Sequence, residues 1–253
     1  MAMSGLYDIH CHLVPYVDDG AFTMEEAVEL LEMQYEQDVR TIVVTPHFRT
    51  RMFETPEEKV SEKFLQLKKA AAEDPELKEL RLFLGREYYC DRGFWDLVAS
   101  GTGIRTMGPS RAIMIEFSTR ESLTPEYMIQ SVEKLKELGL VPVIAHVERY
   151  VPIQTEPENL ARLRERGAWI QVNAASILGE EGRAAKHLAW KILKSGLADL
   201  IASDAHHVEF REPNLERCAR LIGKKLGETT ARRLFRTNQE KLLGMISEEG
   251  AQG

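Results

Sequence analysis

The stretch Leu6-Tyr7-Asp8-Ile9-His10-Cys11-His12 decides the fold. Residues 6–9 are a short β-favouring run. The two histidines that end it stand at i and i+2, so an extended chain directs both imidazoles into one volume. Working outward, residues 41–45, 82–84, 112–117, 141–145, 169–173 and 197–202 repeat the pattern at intervals of roughly 30 residues. Each is short and rich in Val, Ile, Leu or Phe, and several lack polar alternation, which suits strands buried on both faces of a parallel sheet.

Helical signals lie between these runs. Thr23-Met24-Glu25-Glu26 reads as a capping box, followed by a face of Ala27, Leu30, Leu31 and Tyr35. Thr55-Pro56-Glu57-Glu58 starts a second helix with Pro at its first position, ahead of Phe64, Leu65 and Leu67. Met128, Ile129, Val132, Leu135 and Leu138 mark a third, and Thr155-Glu156-Pro157-Glu158 opens a fourth. Residues 185–194, 215–226 and 231–245 complete the set. Seven strands alternating with helices predict βα units closed into an α/β barrel of the TIM type, with seven strands rather than eight. No Pro/Gly/Ser linker divides the chain, so residues 1–247 are expected to form a single domain and residues 248–253 a disordered tail.

The 253-residue length suits one such barrel. With 43% apolar and 29% charged residues, the composition excludes collagen-like, mucin-like and disordered classes. A formal net charge of −7 argues against nonspecific binding to nucleic acid or to an anionic membrane. Cys11, Cys90 and Cys218 form neither a disulfide framework nor a CxxC pair, which points to a reducing compartment. The first residues lack a basic region and a long apolar region, and no apolar run approaches a membrane span. The expected location is cytoplasmic, with no membrane insertion, though a membrane-bound partner stays within reach.

Chemistry gathers at the strand ends. His10 and His12 end the first strand, His47 follows the second, His146 the fifth, and His206 and His207 the last; only His187 falls in mid-helix. Glu87, Glu116 and Asp204 share that placement, and Asp18 and Asp19 lie in the loop after the first strand. In a TIM-like barrel these ends meet on one face, where active sites are built. Imidazoles and carboxylates without thiolates suit Mn²⁺, Fe or Zn²⁺ better than a structural Cys–zinc site, and so many candidates suggest two or three ions. Cys11, between two inward histidines, should point away from them.

Other chemistries fail on spacing. A cysteine-dependent phosphatase needs Cys, five residues, then Arg; the corresponding positions here are Val17, Asp96 and Lys224. GxxxxGK[ST], GxSxG and HExxH are absent. A multi-metal site most naturally hydrolyses phosphate esters, because bridged cations generate hydroxide near neutral pH and stabilise attacking and leaving oxygens. Arg149, three residues past His146, and Arg211 are the candidate phosphate-binding cations, since a planar guanidinium can grip phosphate bidentately.

Asp-Ile-His-Cys-His, Val-Asp-Asp-Gly-Ala, Thr-Pro-His, Phe-Glu-Thr-Pro-Glu-Glu-Lys, Ile-Glu-Phe, Val-Ile-Ala-His-Val-Glu-Arg-Tyr and Ala-Ser-Asp-Ala-His resemble the PHP (polymerase and histidinol phosphatase) superfamily. More narrowly, from about Tyr7 to about Leu243 the chain is similar to the bacterial manganese-dependent protein-tyrosine phosphatases of capsular and exopolysaccharide operons. That resemblance implies a distorted seven-stranded (β/α) barrel and a trinuclear centre. His10, His12, Glu87 and Asp204 would surround one ion, and Glu87 would bridge to a second held by Glu116 and His146. Asp19, His47 and His206 would hold the third, with Asp18 the rival to Asp19. Arg149, His47 and Asp19 would act on the phosphate, which Arg149 and Arg211 would bind, and a metal-bridging hydroxide would attack phosphorus without a covalent phosphoenzyme. Family members often have Gly-Ala-Glu where this chain has Gly85-Arg86-Glu87, which leaves open whether Arg86 faces substrate or solvent. The implied substrate is a phosphotyrosine protein, the tail of a membrane-associated bacterial tyrosine kinase. The alternative is a small phosphomonoester such as histidinol phosphate.

Overall fold

The computed structural model describes residues 5–245. The apolar runs form β1 (Leu6–Asp8), β2 (Val39–Val44), β3 (His47–Phe48), β4 (Arg81–Leu84), β5 (Glu87–Tyr89), β6 (Ala112–Glu116), β7 (Val141–Ile144), β8 (Trp169–Asn173) and β9 (Leu200–Ala202). Every pairing among them is parallel. Nine segments make seven staves. β2 and β3 are one stave broken at Thr45-Pro46, and β4 and β5 are another broken at Gly85-Arg86. Pro46 has no N–H to give to a ladder, so the stave must break there. Its carbonyl still accepts from Glu87 N at 3.1 Å, which carries the pairing across the gap. The ring closes where Asp204 N donates to His10 O and His12 N to Ala205 O, both at 2.8 Å. The closed seven-strand α/β barrel is the one expected.

Burial on both faces explains the weak alternation of the strands. Val43, Ala112, Met114, Val143, Leu200 and Ala202 fill the barrel interior. Their neighbours Ile42, Val44, Ile113, Ile115, Ile144 and Ile201 pack outward against the helical layer. That layer comprises α1 (Met24–Glu36), α2 (Glu57–Glu73), α3 (Arg92–Ser100), α4 (Pro125–Glu137), α5 (Val151–Thr155), α6 (Asn159–Glu165), α7 (Ala174–Leu178), α8 (Arg183–Lys194) and α9 (Leu215–Leu226).

Several local expectations shift. Thr23 caps α1 by accepting from Glu26 N, but Glu26 reaches back to Phe22 N and to His207 rather than to the cap itself. Pro56 is the cap of α2, one position before the helix. Leu65 and Leu138 are exposed, because the buried faces are narrower than the apolar stripes. The helix expected over 231–245 is present, starting at Glu228 and running through a π-helical turn at Arg233–Thr237 to Leu242. Leu234 and Phe235 pack in the outer core, while Leu242 and Leu243 join the interior core. The expected tail at 248–253 lies outside the described residues. No helix among those described is long and apolar enough to cross a membrane.

Candidate metal centre

The C-terminal ends of the staves converge on one buried carboxylate. Glu87 opens β5 and is fully buried. Its Oε2 lies 3.2 Å from His10 Nε2, 3.3 Å from His12 Nε2 and 3.1 Å from His47 Nδ1. Its Oε1 lies 2.9 Å from His146 Nε2. Asp204 Oδ1, on the first residues past β9, sits 3.4 Å from His10 Nε2 and 3.5 Å from His12 Nε2. Glu116, at the end of β6, places Oε1 3.3 Å from His47 Nδ1 and Oε2 3.8 Å from His146 Nε2. Asp19 Oδ1 lies 3.6 Å from His47 Nε2 and 3.8 Å from His206 Nε2.

Four groups of donor atoms result, each close enough to share a cation: His12, Asp19, His47 and His206; His10, Glu87 and His146; His10, His12 and Asp204; His47, Glu87 and Glu116. All nine ligand candidates read from the sequence fall within them. Glu87 Oε2, His47 Nδ1 and His206 Nε2 are buried without a well-formed hydrogen bond. Lone pairs aimed at a common centre rather than at each other produce that arrangement, and it is the one cations fit.

The electrostatics agree. Burial alone would depress the His10 imidazole, but the Glu87 and Asp204 carboxylates override it and push its pKa up to about 9. Burial likewise opposes charge on His47, and Glu87 and Glu116 push it up to about 10. Burial would raise Glu87 and Asp204; the surrounding imidazoles, with Arg211 and Arg149 for Asp204, hold both well below the usual carboxylate range. Protons on His10 and His47 thus offset the carboxylates, a task bound cations take over by displacing them.

Asp18 and Asp19 separate cleanly. Asp18 Oδ2 accepts from His12 Nδ1 and from His47 N, both at 2.8 Å, and its Oδ1 accepts from Gly20 N. It belongs to none of the four groups; Asp19 does. Asp18 therefore turns the His12 ring so that Nε2 faces the cluster, the support that metal-bound histidines ordinarily receive. Asp18→Asn should weaken metal affinity about 10- to 100-fold, measured by calorimetric metal titration. Unchanged affinity would assign Asp18 a purely structural task.

Arg149 and Arg211 both converge on Asp204 Oδ2, at 3.0 and 2.8 Å. Arg149 also pairs with Glu181, which bonds Ser176. Arg86 does not face solvent. It is buried and donates to Thr55 O, His47 O and Glu57, tying down the 47–57 loop. All three thiols are buried and free, and burial pushes the Cys90 thiol up to about 12. Cys11 points away from the cluster, into the outer core, as expected. His187 is exposed on α8, and His207 is bonded to Glu26 and to Asp19 O. The sequence reading passed over Gln171, Asn173 and Glu181. For the first two a signal existed: they are the polar members of the alternating strand Trp169–Asn173, at i and i+2.

Fold and site together define a closed parallel α/β barrel carrying, at its C-terminal rim, thiol-free His/Asp/Glu clusters suited to several metal ions. Residues 6–244 match the family described as capsular polysaccharide synthesis, CpsB/CapC, and the chain belongs to that family. It is 35% identical to the tyrosine-protein phosphatase CpsB of Streptococcus pneumoniae, over 94% of this chain and 98% of that one. It is 29% identical to the tyrosine-protein phosphatase YwqE of Bacillus subtilis, over 88% and 85%. A crystal structure from work on YwqE and CpsB, described as unique metal-dependent tyrosine phosphatases, superposes with a TM-score of 0.85 at 28% identity, covering 96% of each chain. An organophosphorus hydrolase, at TM-score 0.62 and 14% identity, shares the fold.

Proposed function

We propose that this chain is a metal-dependent protein-tyrosine phosphatase that acts in the cytoplasm on a membrane-associated bacterial tyrosine kinase of capsule or exopolysaccharide synthesis. The observation that carries the reading is the assembly of five imidazoles and three further carboxylates around Glu87, beside two guanidiniums and away from any exposed thiol. The CpsB and YwqE likenesses support the phosphotyrosine substrate. Three buried free thiols fit a reducing cytoplasm. Residues 1–247 act as one domain in this reading.

His10, His12, Glu87 and Asp204 would hold one ion. Glu87 would be shared with a second, held by Glu116 and His146, and Asp19, His47 and His206 would hold a third. The carboxylate–imidazole set favours Mn²⁺, with Fe or Zn²⁺ as substitutes. Ions held there supply a nucleophile from water near neutral pH and neutralise charge on the phosphoryl oxygens. Arg149 and Arg211, part-exposed above Asp204, exchange that carboxylate for substrate oxygens and orient the phosphate. Asp19, half exposed, stands beside His47 at the solvent side of the cluster. The reading has no covalent phosphoenzyme, in keeping with three buried thiols, and the phenolate of tyrosine, with a pKa of about 10 when free, is a competent leaving group.

Chelation should abolish phosphate release from a phosphotyrosine peptide, Mn²⁺ should restore it, and a thiol alkylator should leave the native protein active. Activity that survives the chelator but not the alkylator would overturn the proposal. With the same Mn²⁺, kcat/KM should favour the phosphopeptide over histidinol phosphate; the reverse order would move the substrate to small phosphomonoesters.

A further inference from the structure

Two buried amides beneath the cluster, Gln171 and Asn173 of β8, form a hydrogen-bonded chain whose direction one backbone group dictates. Gln171 Oε1 receives His146 N at 2.8 Å and lies 3.1 Å from His10 Nδ1. A backbone N–H can only donate, so the oxygen of the Gln171 amide must face it. His10 must then donate from Nδ1, so Nε2, the atom that faces Glu87 and Asp204, is the nitrogen that can give up its proton to a cation. Gln171 Nε2 consequently donates to Asn173 Oδ1 at 2.8 Å. Asn173 Nδ2 therefore points the other way and donates to Asp204 Oδ2, also at 2.8 Å. That oxygen already receives Arg149 and Arg211, so Asp204 turns Oδ1 toward His10 and His12. A second backbone bond, Asn173 N to Glu148 Oε1 at 3.0 Å, anchors the far end. Both amides are fully buried, so water cannot substitute for either.

We infer that Gln171 and Asn173 are positioning residues that fix, before any ion arrives, the orientation of the His10 ring, with Nδ1 committed as a donor and Nε2 left for an ion, and the inward oxygen of Asp204. The backbone N–H of His146, which carries another candidate ligand, sets the polarity of the whole chain. Two of the ligand groups are thereby organised by one peptide hydrogen. The inference rests on the rim cluster being a metal centre.

The test combines two readouts. In the Zn²⁺-loaded wild-type protein, nitrogen-15 NMR of the histidines should show His10 protonated at Nδ1. In Gln171→Leu, titrated with Mn²⁺, one ion should bind about 10- to 100-fold more weakly while the others keep their affinity. Gln171→Glu, which keeps an acceptor for His10 and His146, should recover part of that loss. A His10 protonated at Nε2, wild-type affinity for every ion in Gln171→Leu, or a Gln171→Glu no better than Gln171→Leu would each overturn the inference. If Gln171→Leu does not fold, the wild-type NMR signal decides by itself. A wild-type protein that binds no ion would instead overturn the metal-centre reading beneath it.

Discussion

Glu87→Gln should strip at least one ion from each chain and lower turnover by about 10³-fold or more, the equivalent of several kcal/mol of lost charge stabilisation. The reason is placement. Four imidazole nitrogens stand within 3.3 Å of this one carboxylate. The amide has the same size but no charge, and its NH₂ must face a ring nitrogen that needs its lone pair for a cation. The fold should persist, because Glu87 belongs to neither apolar core. Metal analysis of the purified variant, circular dichroism and phosphate release decide the matter together. A variant with the full metal complement and wild-type turnover would remove Glu87 from the centre of the mechanism.

Arg149→Ala should give the complementary result, with metal retained and turnover reduced by on the order of 10²- to 10³-fold, the usual loss when one preorganised donor to a developing anion is removed. Burial would lower the Arg149 pKa, but Asp204 and Glu181 raise it beyond the ordinary arginine value, so the guanidinium stays charged throughout the working range. Asp204 Oδ2 keeps Arg211 and Asn173 when Arg149 is gone, so the carboxylate should not swing out of the cluster. Arg149→Lys should fall between the two, since an ammonium is a point charge without the bidentate fork. Loss of metal in Arg149→Ala would reassign the residue from substrate contact to support of Asp204.

Much of this site was legible in the order of residues. Strand ends are visible in sequence as the last apolar residue before a polar one, and a parallel barrel brings all such ends to one rim. His10, His12, Glu87, Glu116, His146 and Asp204 could therefore be assembled without coordinates. Less legible were the breaks. Thr45-Pro46 and Gly85-Arg86 looked like strand termini, yet the chain resumes pairing two residues later and delivers His47 and Glu87 as strand residues. Arg86, placed by sequence beside a ligand, turned out to be a buried tie for the 47–57 loop.

The sequence by itself determined the parallel barrel, the set of ligand types and the exclusion of cysteine chemistry, because hydrophobic period, residue chemistry and short spacings are local properties of the chain. Only the tertiary structure decided which aspartate joins the cluster. Asp18 and Asp19 are chemically equal neighbours, and it is the position of His12 Nδ1 and His47 N that claims the first and leaves the second facing His47 and His206. The same holds for Gln171 and Asn173. Their role depends on the direction of hydrogen bonds between strands more than twenty residues apart, and no local pattern encodes which way an amide must point.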